Sequence, residues 1–158
     1  MAEYQLVDPF LNMPKPPGEV GPVDPNIARW FKNSPARING ATIEEMVADM
    51  DEGGLSAGIL TVRAAGLPVG AYSVGQGITD ELFDAECEKL ATAIKKFPGR
   101  LHGCVAIAPT GVMTAVRQVE RAVREYGFNH IWMMPSLVGL PPNHACYFPI
   151  YAKCVELG

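Results

Sequence analysis

Gly127-Phe128-Asn129-His130-Ile131-Trp132-Met133-Met134-Pro135 and Tyr147-Phe148-Pro149-Ile150-Tyr151-Ala152-Lys153-Cys154-Val155-Glu156-Leu157-Gly158 decide the fold. The first is a short apolar run opened by a glycine and stopped by a proline, and it reads as a buried strand. The loop Leu140-Pro141-Pro142-Asn143 follows it. The second segment reads as a helix with a glycine at its end. Strand then helix is a β/α unit. The chain stops where the next strand of an α/β protein is expected, so it reads as the first half of something larger.

Working upstream, the same alternation recurs. Leu101 to Ala108 is an apolar strand closed by Pro109, and Gly111 to Tyr126 carries Val112, Val116, Val119 and Val123 on one helical stripe. Ala57 to Val62 is a buried strand, and Asp80 to Lys96 is the strongest helix, with Leu82, Phe83, Leu90, Ala91 and Ile94 on one face. The glycine-rich stretch Arg63 to Gly77 between them reads as a loop. Thr42-Ile43-Glu44-Glu45 is a capping box, with Ile43, Met46, Val47 and Met50 behind it and Gly53-Gly54 as the stop. Tyr4 to Leu11 is a short strand interrupted by Pro9. Met13 to Gly40 is a long loop rich in proline and glycine, with a short helix expected around Asn26 to Phe31.

The strands are continuous apolar runs, as in a parallel sheet covered by helices. Four β/α units are half of a (β/α)8 barrel, which needs at least about 200 residues. The same string fits an open doubly wound sheet. No Gly-x-Gly-x-x-Gly follows the first strand, so a dinucleotide site has little support.

Composition narrows the functions. A net charge of −4 without long runs of one sign argues against nucleic acid and against a basic membrane contact. No apolar stretch approaches the roughly 20 residues that span a bilayer. Residues 1–4 lack the start of a signal peptide, so a cytoplasmic protein is expected. Cys87, Cys104, Cys146 and Cys154 form no Cys-x-x-Cys pair and read as reduced thiols.

Three segments carry a resemblance. They are Ala41 to Gly54 running into the strand to Val62, Phe97-Pro98-Gly99-Arg100-Leu101-His102-Gly103 running to Pro109, and Pro141-Pro142-Asn143 through Gly158. Together they resemble the amidohydrolase-related branch of the amidohydrolase superfamily, which contains aminocarboxymuconate-semialdehyde decarboxylase. The resemblance implies a (β/α)8 barrel with one divalent metal at the C-terminal ends of its strands, where it polarises a water or substrate oxygen. It also implies an Asp-x-His-x-His run on the first strand. The matching run is Asp8-Pro9-Phe10-Leu11-Asn12, with phenylalanine and asparagine in the two histidine places. The remaining family ligands belong to strands five, six and eight, beyond these four units. No metal ligand is carried over, and no cofactor is expected in this chain. Zinc, manganese or iron is expected only in an intact protein or a partner.

On this reading residues 1–158 are a single incomplete domain, the N-terminal half of an α/β barrel, with 13–40 inserted after strand one. Asn12, Arg63 and Ser136 are candidates for substrate contact, because each stands at a strand's C-terminal end. A guanidinium at Arg63 suits a carboxylate; the plain alternative is a surface ion pair. Asp8 is a candidate supporting acid, or a carboxylate capping loop amides. His102 and His130 open their strands, at the stability end of a barrel. His144 and Cys146 form a His-x-Cys pair with no third ligand.

The expected function is a share in a hydrolase or carboxy-lyase acting on a small carboxylated or cyclic substrate. The alternative is a catalytically degenerate companion that assembles with an active homologue. The chain alone is expected to be inactive. It should be buried against a second copy, a homologous chain or its own missing half, with Trp30 and Phe31 as a further contact.

Overall fold

In the computed structural model, residues 5–22, 24–30, 38–62 and 78–158 are described. Tyr4, Phe31 and the stretch from Arg63 to Gly77 that the sequence reads as a loop lie outside them. The apolar runs form β1 (Leu6–Asn12), β2 (Leu55–Thr61), β3 (Leu101–Ala106) and β4 (His130–Trp132). All three pairings are parallel, and the strands lie side by side as β1-β2-β3-β4. A doubly wound sheet needs a point where strand order reverses. This sheet has none, and it is half of a barrel.

Helices supply the crossovers that parallel neighbours require. They are α1 (Pro25–Trp30), α2 (Ile43–Glu52), α3 (Asp80–Lys96), α4 (Val112–Arg124), α5 (Pro135–Val138) and α6 (Phe148–Leu157). The capping box forms as read: the Glu45 N–H donates to the Thr42 hydroxyl at 3.1 Å, and the Thr42 N–H donates to the Glu45 carboxylate at 2.7 Å. Val47 and Met50 of α2, Phe83, Cys87 and Leu90 of α3, and Ala115, Val119 and Ala122 of α4 bury their stripes in one core with Leu60, Leu101 and Val105 of the strands. That core is the convex, helix-covered side of the sheet.

Boundaries moved where backbone chemistry outweighs apolar pattern. β2 begins at Leu55, earlier than its apolar run, because Arg100 holds that end: its Nε donates to the Ser56 carbonyl at 2.7 Å and an Nη to the Leu55 carbonyl at 3.0 Å. β3 ends at Ala106, because Pro109 opens a 3₁₀ turn, Pro109–Gly111. α5 is a short helix the sequence reading missed, closed by Gly139 at φ +71°. Among the described residues no helix is long and apolar enough to cross a membrane.

Two strand glycines face the core where nothing larger fits. A Cβ on Gly103 would lie 2.3 Å from the Phe128 ring, and one on Gly58 would lie 2.1 Å from the tip of Leu11. A leucine tip can rotate away, whereas a packed ring must move as a body. Gly103→Ala should therefore cost about 1–3 kcal/mol, and Gly58→Ala less. Chemical denaturation of the two variants checks the ranking; a smaller loss for Gly103→Ala would refute it.

Candidate functional site

Register assigns the faces of the strands. Gly58, Leu60, Leu101 and Val105 face the helices, so their alternates face the concave side. One row runs across that side: Asn12 opposite Thr61, Thr61 opposite Cys104, and Cys104 opposite His130. Above it, toward the C-terminal ends, Ala106 stands opposite Trp132.

β1 reaches this mouth through a bulge. Asp8 pairs with Gly58 and Leu11 with Leu60, so Pro9 and Phe10 together oppose Ile59. Pro9 has no N–H to give the ladder, which suits a bulge. The Phe10 N–H donates to Asp8 Oδ1 at 2.8 Å instead of to a neighbouring strand. The Phe10 ring then meets Trp132 edge to face, centroids 6.1 Å apart and planes at 90°. β1 and β4 are separated by two strands, about 14 Å in a flat sheet. Their rings touch because the sheet curls, and they touch across its concave side.

Asn12 is half-buried at the end of β1, with its neighbour Met13 donating its N–H to the Thr61 carbonyl at 2.7 Å. Ser136 is exposed in the first turn of α5, at the same end of the sheet. Arg63 lies outside the described residues. Asp8 and Asn12 fall on opposite faces, since their partners Gly58 and Thr61 do. The sequence reading missed the aromatic pair, because partners so far apart in sequence leave no local signal.

His130 also sits differently than its place at the start of a strand implies. β4 begins level with Cys104, the fourth residue of β3, so His130 stands partway up the concave face. Its Nδ1 is buried with no partner among the described residues. Burial first, and then the nearby His102, hold its pKa below the ordinary 6.5. Burial alone pushes the Cys104 thiol up to about 11.

The donor set at the mouth does not suit a divalent metal. Phe10 cannot ligate, an amide oxygen at Asn12 is a weak ligand, and the Asp8 carboxylate is engaged by a backbone N–H. Among the described residues no group of three His, Cys, Asp or Glu could hold an ion. What the arrangement offers is an aromatic wall with an amide beside it.

A family model described as amidohydrolase matches residues 22–158. No curated protein matches the chain. Several solved structures do. 5-Carboxyvanillate decarboxylase from Novosphingobium aromaticivorans, with bound manganese and 3-methoxy-4-hydroxy-5-nitrobenzoic acid, is 22% identical, with a TM-score of 0.67 over 98% of this chain and 49% of that one. 5-Carboxyvanillate decarboxylase from Sphingomonas paucimobilis is 18% identical, with a TM-score of 0.69 over 97% of this chain and 49% of that one. 2,6-Dihydroxybenzoate decarboxylase from Rhizobium is 17% identical, with a TM-score of 0.64 over 99% and 48%. The chain thus spans about half the length of these solved relatives. At such identities the likeness concerns the fold.

The lowered pKa of His130 has a consequence for stability. In the unfolded chain this imidazole takes a proton near 6.5, and in the folded chain only at lower pH. The unfolded state therefore binds more protons as pH falls through 6.5, and stability falls with it. Its contribution is fully present above that value. His130→Gln should lose less thermal stability than the parent between about pH 7 and about pH 5.5. Melting curves at both pH values test this, and equal losses would count against a neutral, buried His130.

Proposed function

The chain belongs to the amidohydrolase family, and from that premise we propose that it supplies one half of the mouth of a hydrolase or carboxy-lyase barrel. The substrate is a small carboxylated, cyclic molecule. The contact between Phe10 and Trp132 across the concave face carries this reading. Paired aromatic edges and faces suit a planar ring. The Asn12 amide and the Ser136 hydroxyl can donate to its oxygens, and Arg63 can pair with its carboxylate. Asp8 acts through Phe10, whose N–H it holds. The planar aromatic acids bound by the solved relatives, a nitrobenzoic acid and 2,6-dihydroxybenzoate, support the substrate class.

Residues 1–158 are then one incomplete domain, with 13–40 inserted after β1. Leu6, Val7 and Phe10 expose about half of their surface on a strand that, among the described residues, is paired on one side only. An open edge with exposed apolar residues calls for cover. A further set of β/α units, from the same chain, a second copy or a homologue, would close it. Any metal would be held by those units.

Phe10 favours a second reading. It occupies the place of a metal-ligating histidine in the resembling family, which suits a companion subunit that has given up chemistry and kept assembly.

Calorimetric titration of the complete assembly with 2,6-dihydroxybenzoate tests the first reading. Phe10→Ala should weaken binding by about 1 kcal/mol, roughly fivefold in Kd. Unchanged affinity in Phe10→Ala and Asn12→Ala would leave the companion reading. Separately, sedimentation of the 158-residue chain should show association or exposed apolar surface. A cooperative, dye-silent monomer would overturn the half-barrel mouth.

A further inference from the structure

A second group of reactive side chains, none of them used in the proposed mouth, lies in and just before the 3₁₀ turn Ala145–Tyr147 that leads into α6. His144 Nδ1 lies 3.2 Å from Cys146 Sγ. The same nitrogen accepts the Cys146 backbone N–H at 3.3 Å. A nitrogen that accepts an N–H carries a lone pair there, so the neutral ring keeps its proton on Nε2. The thiol beside it is then the donor, and it shares the one Nδ1 lone pair with the Cys146 N–H. This is the arrangement in which an imidazole activates a sulfur nucleophile.

The turn is held firmly. Tyr147 is fully buried, and its N–H donates to the His144 carbonyl at 3.0 Å. The His144 N–H donates to the Pro141 carbonyl at 2.9 Å, and the Tyr151 hydroxyl donates to the Pro142 carbonyl at 2.9 Å. The dyad therefore rests on a fixed backbone, with the His144 ring exposed and Cys146 partly so.

We propose that Cys146, with His144 as its base, is a thiol site for soft carbon electrophiles of the α,β-unsaturated carbonyl class. The Cys146 proton passes to His144 Nδ1, which gives up the Cys146 backbone N–H, as sulfur bonds to the β-carbon. The C=C pair moves to the α-carbon, which takes the proton back from the imidazolium. One S–C bond forms, the double bond becomes single, and nothing leaves.

Cys87 and Cys104 lack both features, and Cys154 lacks the imidazole. Cys87 and Cys104 are buried, and burial is the leading cause that pushes them up to about 12 and about 11. Cys154 is half-buried in α6, and burial raises it too. Among the described residues, none of them is hydrogen-bonded to an imidazole.

Limited labelling of the protein with N-ethylmaleimide, followed by peptide mass spectrometry, tests the proposal. Cys146 should carry most of the early label. His144→Asn keeps an oxygen that can accept the Cys146 N–H but removes the base, and it should slow labelling of Cys146 by roughly tenfold or more. Comparable early label on Cys154, Cys104 or Cys87 would overturn the site. So would an unchanged Cys146 rate in His144→Asn. The site distribution in the unmodified sequence stands as a test even if that variant folds poorly.

Discussion

One-sided covering of the sheet governs this structure. Each of β2, β3 and β4 presents alternate residues to helices on its convex side, and the strands follow one another without reversal. Parallel strands twisted in one sense and packed on one side close toward the other. The curl that brings Phe10 to Trp132 is therefore a product of the helix-side core, far from the rings themselves. Gly58 and Gly103 belong to the same mechanism, because they let Leu11 and Phe128 lie directly on the strands.

Electrostatics serve the frame more than the mouth. Arg100 ties the start of β3 to the start of β2 and to Asp51. Arg121 of α4 reaches Asp84 of α3 and stands over the Phe83 ring at 5.6 Å. Gln118, fully buried, donates to the Ile78 carbonyl at 2.8 Å and so anchors the approach to α3. These contacts fix how the β/α units lie against each other. The concave side carries the row from Asn12 through Thr61 and Cys104 to His130, with the Phe10–Trp132 contact on the same face.

The longer helices were legible because each carries its own signal, whereas the four-residue α5 carries none. Thr42 and Glu45 announce α2, and the valine stripe announces α4. Strand order followed from alternation and from the resemblance. The site was less legible, for a physical reason. The bulge at Pro9 and the stagger of β4 are properties of pairing between strands, and no single segment records them. A reading strand by strand places Asn12 at the mouth but cannot see that Phe10 meets a tryptophan 122 positions later in the sequence. It also sets His130 at the bottom of the barrel, where the stagger lifts it.

The bulge bears on how the sheet opens. At Pro9 the ladder has no amide, and at Phe10 the amide is given to a side chain of its own strand. β1 is thus both an edge and the strand with an interrupted ladder. Local opening begins where backbone bonds are few and apolar burial is thin. Amide exchange should reach β1 before β2 and β3, and slower exchange in β1 would contradict this. Half of the aromatic wall then rides on the strand that detaches first. Ligand occupancy and protection of that strand would rise and fall together.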